Sequence, residues 1–420
     1  MQITRIVGIS MQISKVLNSY ANMPKEIKYL IYASIMPSVA YGLIFTNISY
    51  LLTVVQGVSA DFAGIVISSM GISTFVASIF IGIAVDIYGR KKFLVAGNIL
   101  ASIILVVIAM TTNPILLILT AVLEGISEAA VLASSSALLA DKAKNKKRTS
   151  VFSLYGFVQS IAFGLGSFAI PSVIIFELMG FSNKESHLIL YSLIAVIGIL
   201  STLVMIKVNE STKLKKARSG IKDLLPRKSK DVLSKFTLTS AILAFGAGMV
   251  VPLMAFWFSL RYGISDIISG PILAVSSILI AFAILAAPHL AERFGLIKSI
   301  VLTQVASTFF IFAIPFSPNY VLAGFIYNIR ALLMNMASPL TTSMIMGLVA
   351  EDERGAASGI SGALWRLPNA LSTFIGAWLM GNGLLVEPFF TAGLFYIISI
   401  ILFWHYFRIV KMPEEEIHCS

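Results

Sequence analysis

Glu124 and Glu128 stand one helical turn apart inside an apolar run, so a helix there presents both carboxylates on one face. Arg330 and Arg366 each lie about ten residues into further apolar runs. An ionisable side chain at the middle of a membrane span costs roughly 2.5–3.5 kcal/mol on insertion scales, so it faces a cavity and has a task there. A cavity carboxylate can load and release a proton as its surroundings change, because burial and neighbouring charge set its proton affinity. A guanidinium can hold an anionic group of a solute or serve as an internal counter-ion. The alternative is a fixed salt bridge locking the helices that carry the four residues. On this reading Glu124 is the first candidate for proton coupling, with Arg330 its nearest partner, and Glu128 is the second. Arg330 and Arg366 join Tyr41, Asn47, Gln159, Trp257, Tyr327, Asn328 and Asn335 as candidates for lining a substrate cavity. Glu177, Glu185, His187 and Asp266 fall beside outer loops and are expected to be solvated.

The elements that position these residues are set by composition. Of 420 residues, 57% are hydrophobic and only 12% charged, whereas a soluble domain carries about a quarter of its residues as charges. A soluble chain of this length always needs more polar skin than that, so the sequence predicts an integral membrane protein. Twelve apolar runs reach the roughly 20 residues a spanning helix needs: 29–52, 62–85, 93–111, 115–140, 150–173, 188–208, 236–258, 267–287, 299–316, 320–349, 356–380 and 388–408. They are long and lack period-two alternation, which predicts an all-α protein and not a barrel. Charge, which played no part in that count, supports it. With both termini inside, 27 of the 31 Lys and Arg residues fall on inside segments, as the positive-inside rule requires. The net charge of +11 thus reflects topology, and no nucleic-acid partner is expected. The single cysteine, Cys419, excludes an intramolecular disulfide. Four histidines without ligand spacing predict no metal site, and no cofactor is expected.

The expected organisation is a tail at 1–28 with a possible amphipathic helix on the membrane, a six-helix half at 29–208, a cytoplasmic linker at 209–235, a second six-helix half at 236–408 and a cytoplasmic tail at 409–420. The linker is charged and holds Pro and Gly, as a connection between two units does.

One short polar gap carries a motif. Residues 82–92, GIAVDIYGRKK, separate spans 2 and 3, and Gly82, Asp86, Gly89, Arg90 and Lys91 fit the pattern G-x-x-x-D-x-x-G-R-[KR]. In this the chain resembles the major facilitator superfamily. Physically, Gly82 permits close helix approach, Gly89 a tight reversal, and the bases anchor the loop at lipid headgroups. The resemblance implies a twelve-helix transporter in two pseudo-symmetric halves, with Asp86 holding the halves together on the cytoplasmic face when the carrier opens outward. It also implies that spans 1, 4, 7 and 10 line the cavity. A shift of 206 residues carries this loop onto APHLAERFGLIK, where Pro288, Glu292, Gly295 and Lys298 replace Gly82, Asp86, Gly89 and Lys92. The same shift places Arg148 on Arg354 and Glu124 on Arg330, an internal repeat. Glu292 and Gly295 therefore extend the gating candidates.

There are departures. The helix 4 position that often holds arginine in the family holds Glu124, and helix 5 does not show the G-x-x-x-G-P-x-x-G-G pattern of family antiporters. The function expected is secondary active transport of a small organic solute by alternating access with a proton as coupling ion, by a monomer spanning the cell membrane many times. Drug or metabolite efflux, a channel or scramblase, and a sensor on the same fold stand as alternatives.

Overall fold

In the computed structural model, the described residues are 24–142, 148–207, 228–350 and 354–409. The expected amphipathic tail and most of the linker lie outside them. Twelve long helices cross in alternating directions: α1 Lys25–Tyr50, α2 Ala60–Tyr88, α3 Arg90–Met110, α4 Pro114–Lys142, α5 Arg148–Phe168, α6 Asn183–Thr202, α7 Lys230–Gly248, α8 Asp266–Phe294, α9 Leu296–Ala313, α10 Tyr320–Leu348, α11 Arg354–Gly381 and α12 Glu387–Phe407. No strand occurs among the described residues. Each helix overlaps one apolar run of the sequence. The first turn of α7 extends to Lys230, since polar residues at a membrane boundary remain free to be helical.

The repeat is written in the backbone. A shift of 206 residues carries α2 onto α8 and α4 onto α10 at both ends, and Gly57 and Gly89 onto Gly263 and Gly295, all four with positive φ. Those reversals need glycine, because a Cβ disfavours that region. Contacts repeat as well. A Cβ on Gly42 would lie 2.0 Å from the carbonyl oxygen of Phe163, and one on Gly248 2.0 Å from that of Asn369. Ser167 donates its hydroxyl to the Gly42 carbonyl at 3.3 Å, as Thr373 does to the Gly248 carbonyl at 3.0 Å. The contact between α1 and α5 is thus rebuilt between α7 and α11.

Several spans are interrupted. Helix α1 relaxes into a wider π turn at Leu51–Val55. Beyond α5, Pro171 lies in a 3₁₀ turn that leads to a short helix, Val173–Leu178. Beyond α7, Pro252 does the same before Met254–Tyr262. Proline lacks an N–H and clashes with the preceding turn, so it marks such breaks. Pro37, Pro339 and Pro368 lie within α1, α10 and α11.

Among the described residues the two halves pack most closely toward one end. Residues 24, 207, 228 and 409 lie on one side, here the terminal side; α2 starts and α11 ends on the other, the far side. On the far side a Cβ at Gly64, Gly71 or Gly381 would fall within 2.7 Å of Ala377, Ala370 or Ala60, and Ser68 donates to the Ala370 carbonyl at 2.6 Å. Helix α8 closes on the end of α5 in the same way, Gly270 against Ile170 and Ser167. The close approach expected at Gly82 is not made among the described residues: nothing lies within 4 Å of a Cβ placed there.

Candidate functional site

Between the halves lies a cavity of about 670 Å³. Its walls include Tyr41 and Phe45 of α1, Glu124 and Glu128 of α4, Arg330 and Asn335 of α10, and Trp365 and Arg366 of α11. It extends toward the terminal side, where Phe236 and Thr239 lie in the first turns of α7 and Thr341 and Thr342 approach the end of α10. A second lobe of about 520 Å³ runs into the first half between α1, α3, α4 and α5, lined by Ser34, Asn98, Ser135, Tyr155 and Gln159. Tyr41, Glu124, Glu128 and Arg366 border both lobes. The remaining walls mix aliphatic and aromatic side chains with hydroxyl and amide groups, among them Thr239, Gln304, Asn369 and Thr373 in the first lobe.

The charges pair differently from the sequence expectation. The Glu128 carboxylate accepts from Arg366 at 2.8 Å and from the Thr74 hydroxyl at 2.9 Å. This ion pair joins α4 of the first half to α11 of the second across the cavity. Tyr41 stands beside both charges. Glu124 lies only 7% exposed, one turn away, and its side chain meets the Ser127 hydroxyl at 3.3 Å. Among the described residues no ion pair joins Glu124 to Arg330, the partner expected from the 206-residue shift. Arg330 instead donates to the Tyr396 hydroxyl, its Cζ 5.5 Å from that ring, and its Nε has no partner. A repeat offset relates the two positions by symmetry without bringing them into contact. The cavity therefore presents an acid on one wall and a guanidinium on the other, neither ion-paired among the described residues.

Other expectations are corrected by burial. Trp257 is fully enclosed, donates its indole N–H to the Leu385 carbonyl at 2.9 Å and packs edge-on against Phe258, Tyr262 and Phe389. It closes the far side and lines neither lobe. Tyr327 packs into the same core, and Asn328 is buried away from both lobes. Asn335 borders the cavity, its amide donating to the Ala331 carbonyl. Asn47 is fully buried on the far side, donating to Asp266 at 3.0 Å. Asp266 and His187, expected to be solvated, are each 1% exposed and joined at 2.7 Å. The cue lay in the sequence: Ser182 and Glu185 form a capping box that starts α6 and puts His187 a turn inside it. Thr74 and Tyr396 also escaped sequence reading, since a lone hydroxyl in a span carries no signal of its partner.

In the gating loop, Gly89 makes the expected reversal with φ at 105°. Arg90 reaches the Ala137 carbonyl at 3.4 Å, and Lys91 is half-exposed. The Asp86 side chain lies outside the described part. In the repeat, Gly295 turns likewise, and Glu292 is an exposed partner of His289 at 3.4 Å.

Known proteins agree with this architecture. The model of the Major Facilitator Superfamily matches residues 30–336 and 237–417. Multidrug resistance protein 2 of Bacillus subtilis is 20% identical over 348 residues, covering 82% of this chain and 86% of that protein. Quinolone resistance protein NorA of Staphylococcus aureus is 25% identical over 233 residues, 53% of this chain and 58% of that one. A variant of the nucleoside transporter NupG superposes with a TM-score of 0.74 at 15% identity, covering 91% of this chain and 100% of that one. A bacterial homologue of the human lysosomal transporter Spinster, inward-facing and unoccupied, gives 0.73 at 14% identity, with 91% and 96% covered. With twelve long helices among the described residues, a backbone repeat at a 206-residue offset, a cavity between its halves and the family model matching most of its length, the chain belongs to the Major Facilitator Superfamily and is a multi-pass membrane transport protein.

Proposed function

We propose that the protein moves a small organic solute across the cell membrane by alternating access, coupled to protons through Glu124, with both termini and the 209–235 linker in the cytoplasm. The observation that carries this reading is the cavity itself, which lies between the halves, extends toward the terminal side and is bounded on the far side by close contacts between them. A rocking motion that exchanges those ends would expose the same walls to either face. Glu124 supports proton coupling because no cation among the described residues is paired with it. A proton, or a positive group on a solute, is then an alternative neutraliser of one carboxylate, which links occupancy by one to release of the other. Arg330, which also lacks a charge partner, suits an anionic group. The Glu128–Arg366 pair spans both halves and would have to rearrange as they move.

Export is the direction we favour. The second lobe sets aliphatic and aromatic walls beside hydroxyl, amide and charged groups, which suits amphipathic solutes, and the relatives of this chain include a multidrug resistance protein and a quinolone resistance protein. The test uses the full chain in proteoliposomes, with a fluorescent lipophilic cation and a carboxylate dye as probes. The expected result is accumulation on a pH gradient, and Glu124→Gln, which mimics the protonated acid, should abolish accumulation while sparing exchange. Wild-type accumulation by Glu124→Gln would make Glu124 structural and move the assignment to Glu128.

A further inference from the structure

On the far side, away from the cavity, three buried polar residues from three helices converge. His187 of α6 and Asn47 of α1 belong to the first half, and Asp266 opens α8 of the second. The Oδ2 atom of Asp266 is 2.7 Å from Nε2 of His187 and accepts from the Asn47 amide at 3.0 Å. The other imidazole nitrogen, Nδ1, is 2.8 Å from the Asn183 carbonyl oxygen. A carbonyl can only accept, so Nδ1 carries a hydrogen. That fixes the chemistry at the other nitrogen. A neutral imidazole protonated on Nδ1 offers Nε2 as a lone pair, and a carboxylate offers only lone pairs. At 2.7 Å the two bond only if a further proton sits between them. The pair is therefore an imidazolium with a carboxylate or an imidazole with a carboxylic acid, and either form holds one proton that the separated, neutral-histidine pair lacks.

From this we propose that His187 and Asp266 form a proton-binding latch, distinct from the cavity acids, that keeps the far side shut. The inference rests on the alternating-access reading, because opening the far side must draw α6 and α8 apart. Once parted, both side chains meet water, and His187 has the affinity of an ordinary histidine, about 6.5. Above that pH the open form lacks the proton that the closed form keeps. Below it, both forms hold the proton. Linkage then favours closure by up to about tenfold for each unit of pH lowered, but only above about 6.5. The site is buried in the closed state, so its proton exchanges with the far side alone, and the latch senses far-side pH without carrying the proton across.

The surroundings agree. Tyr50 of α1, Tyr191 of α6 and Glu177 of the short helix Val173–Leu178 are the other titratable groups within electrostatic reach of the pair, and Arg261, in the segment before α8, is directed at Tyr262. No lysine or arginine among the described residues is paired with Asp266, so His187 is the group that neutralises it. The second carboxylate oxygen of Asp266, the side-chain amide oxygen Oδ1 of Asn47 and the Tyr191 hydroxyl have no hydrogen-bond partner among the described residues. An unprotonated pair would add a buried carboxylate facing a lone pair to that deficit, which is the arrangement most costly to bury.

The experiment places spin labels at Thr112→Cys and Asn382→Cys, on the far ends of the two halves, in a Cys419→Ser background, and reads their distance distribution from pH 5.5 to 8.5. The expected result is a far-side-open fraction that is flat up to about pH 6.5 and whose ratio to the closed form then rises by up to about tenfold per unit. His187→Gln with Asp266→Asn keeps an amide hydrogen bond with nothing to titrate, and should remove the rise. An undiminished rise in that variant overturns the proposal. So does a flat wild type, which settles the matter even if the double variant does not fold. Glu124→Gln separates the two readings: the rise should persist in it whether or not proton-driven accumulation is lost, and loss of the rise in Glu124→Gln overturns the latch.

Discussion

Glu128 meets a guanidinium and a hydroxyl, whereas Glu124, one turn along the same face, meets only a serine of its own helix. Identical side chains four residues apart thus have different work available to them. Removing one member of the cross-cavity pair strands the other inside the protein, which costs about 3–5 kcal/mol for fully buried pairs. Arg366 and Glu128 keep 27% and 16% of their side-chain surface exposed, so about 1–3 kcal/mol is the better expectation after allowing for solvent screening. Arg366→Met should therefore lower the thermal midpoint in detergent, and Glu128→Gln added to it should recover most of the loss. A strictly additive double variant would show that the pair is not coupled. The sequence made the four intramembrane charges legible, because each interrupts an apolar run. It did not show which pairs form. Pairing depends on how α4 and α11 are rotated about their axes, and a repeat offset relates positions by symmetry without stating their distance.

Helices were the most legible scale, since an apolar run long enough to span a bilayer has only one way to satisfy its backbone. Where the spans break was less so. Pro171 and Pro252 end the regular part of α5 and α7 before the far-side pieces begin, while Pro37, Pro339 and Pro368 are absorbed within continuous helices. A proline's effect depends on whether neighbouring helices satisfy the freed carbonyls, and a single chain pattern does not record that. Close packing between elements gives a sharper test. Gly42 and Gly248 have no room for a methyl group, each facing a carbonyl oxygen of a neighbouring helix. Gly42→Ala and Gly248→Ala should each cost about 1–3 kcal/mol through forced backbone shifts, measured as a fall in thermal midpoint. Gly82→Ala should leave the midpoint unchanged in protein held open on the terminal side, because no atom lies near the added carbon. If it nevertheless slows transport, the close approach expected at Gly82 belongs to the opposite state.

For the molecule as a whole, the distribution of contacts between halves decides what can move. Of the helix pairs that cross the interface among the described residues, α2 with α11 and α5 with α8 make the most extensive contact, and both touch through small residues on the far side. Small residues let backbones approach closely without interlocking side chains, so such a contact can open without repacking a core. The buried clusters keep largely to one half or the other, so each half can swing with its own core intact. Transport that depends on this swing must stop when the far side is tied. Gly381 and Ala60 are suited to that: a Cβ on Gly381 would lie 2.5 Å from the Ala60 Cβ, and a small relaxation brings the two to the roughly 3.8 Å that a disulfide requires. In a Cys419→Ser background, Gly381→Cys with Ala60→Cys should cross-link on oxidation, abolish uptake into proteoliposomes and leave solute binding from the terminal side intact. Reductant should restore uptake. Full-rate transport by the oxidised, cross-linked protein would show that the far side need not open, and with that the rocking of two rigid halves would no longer describe how this chain moves its solute.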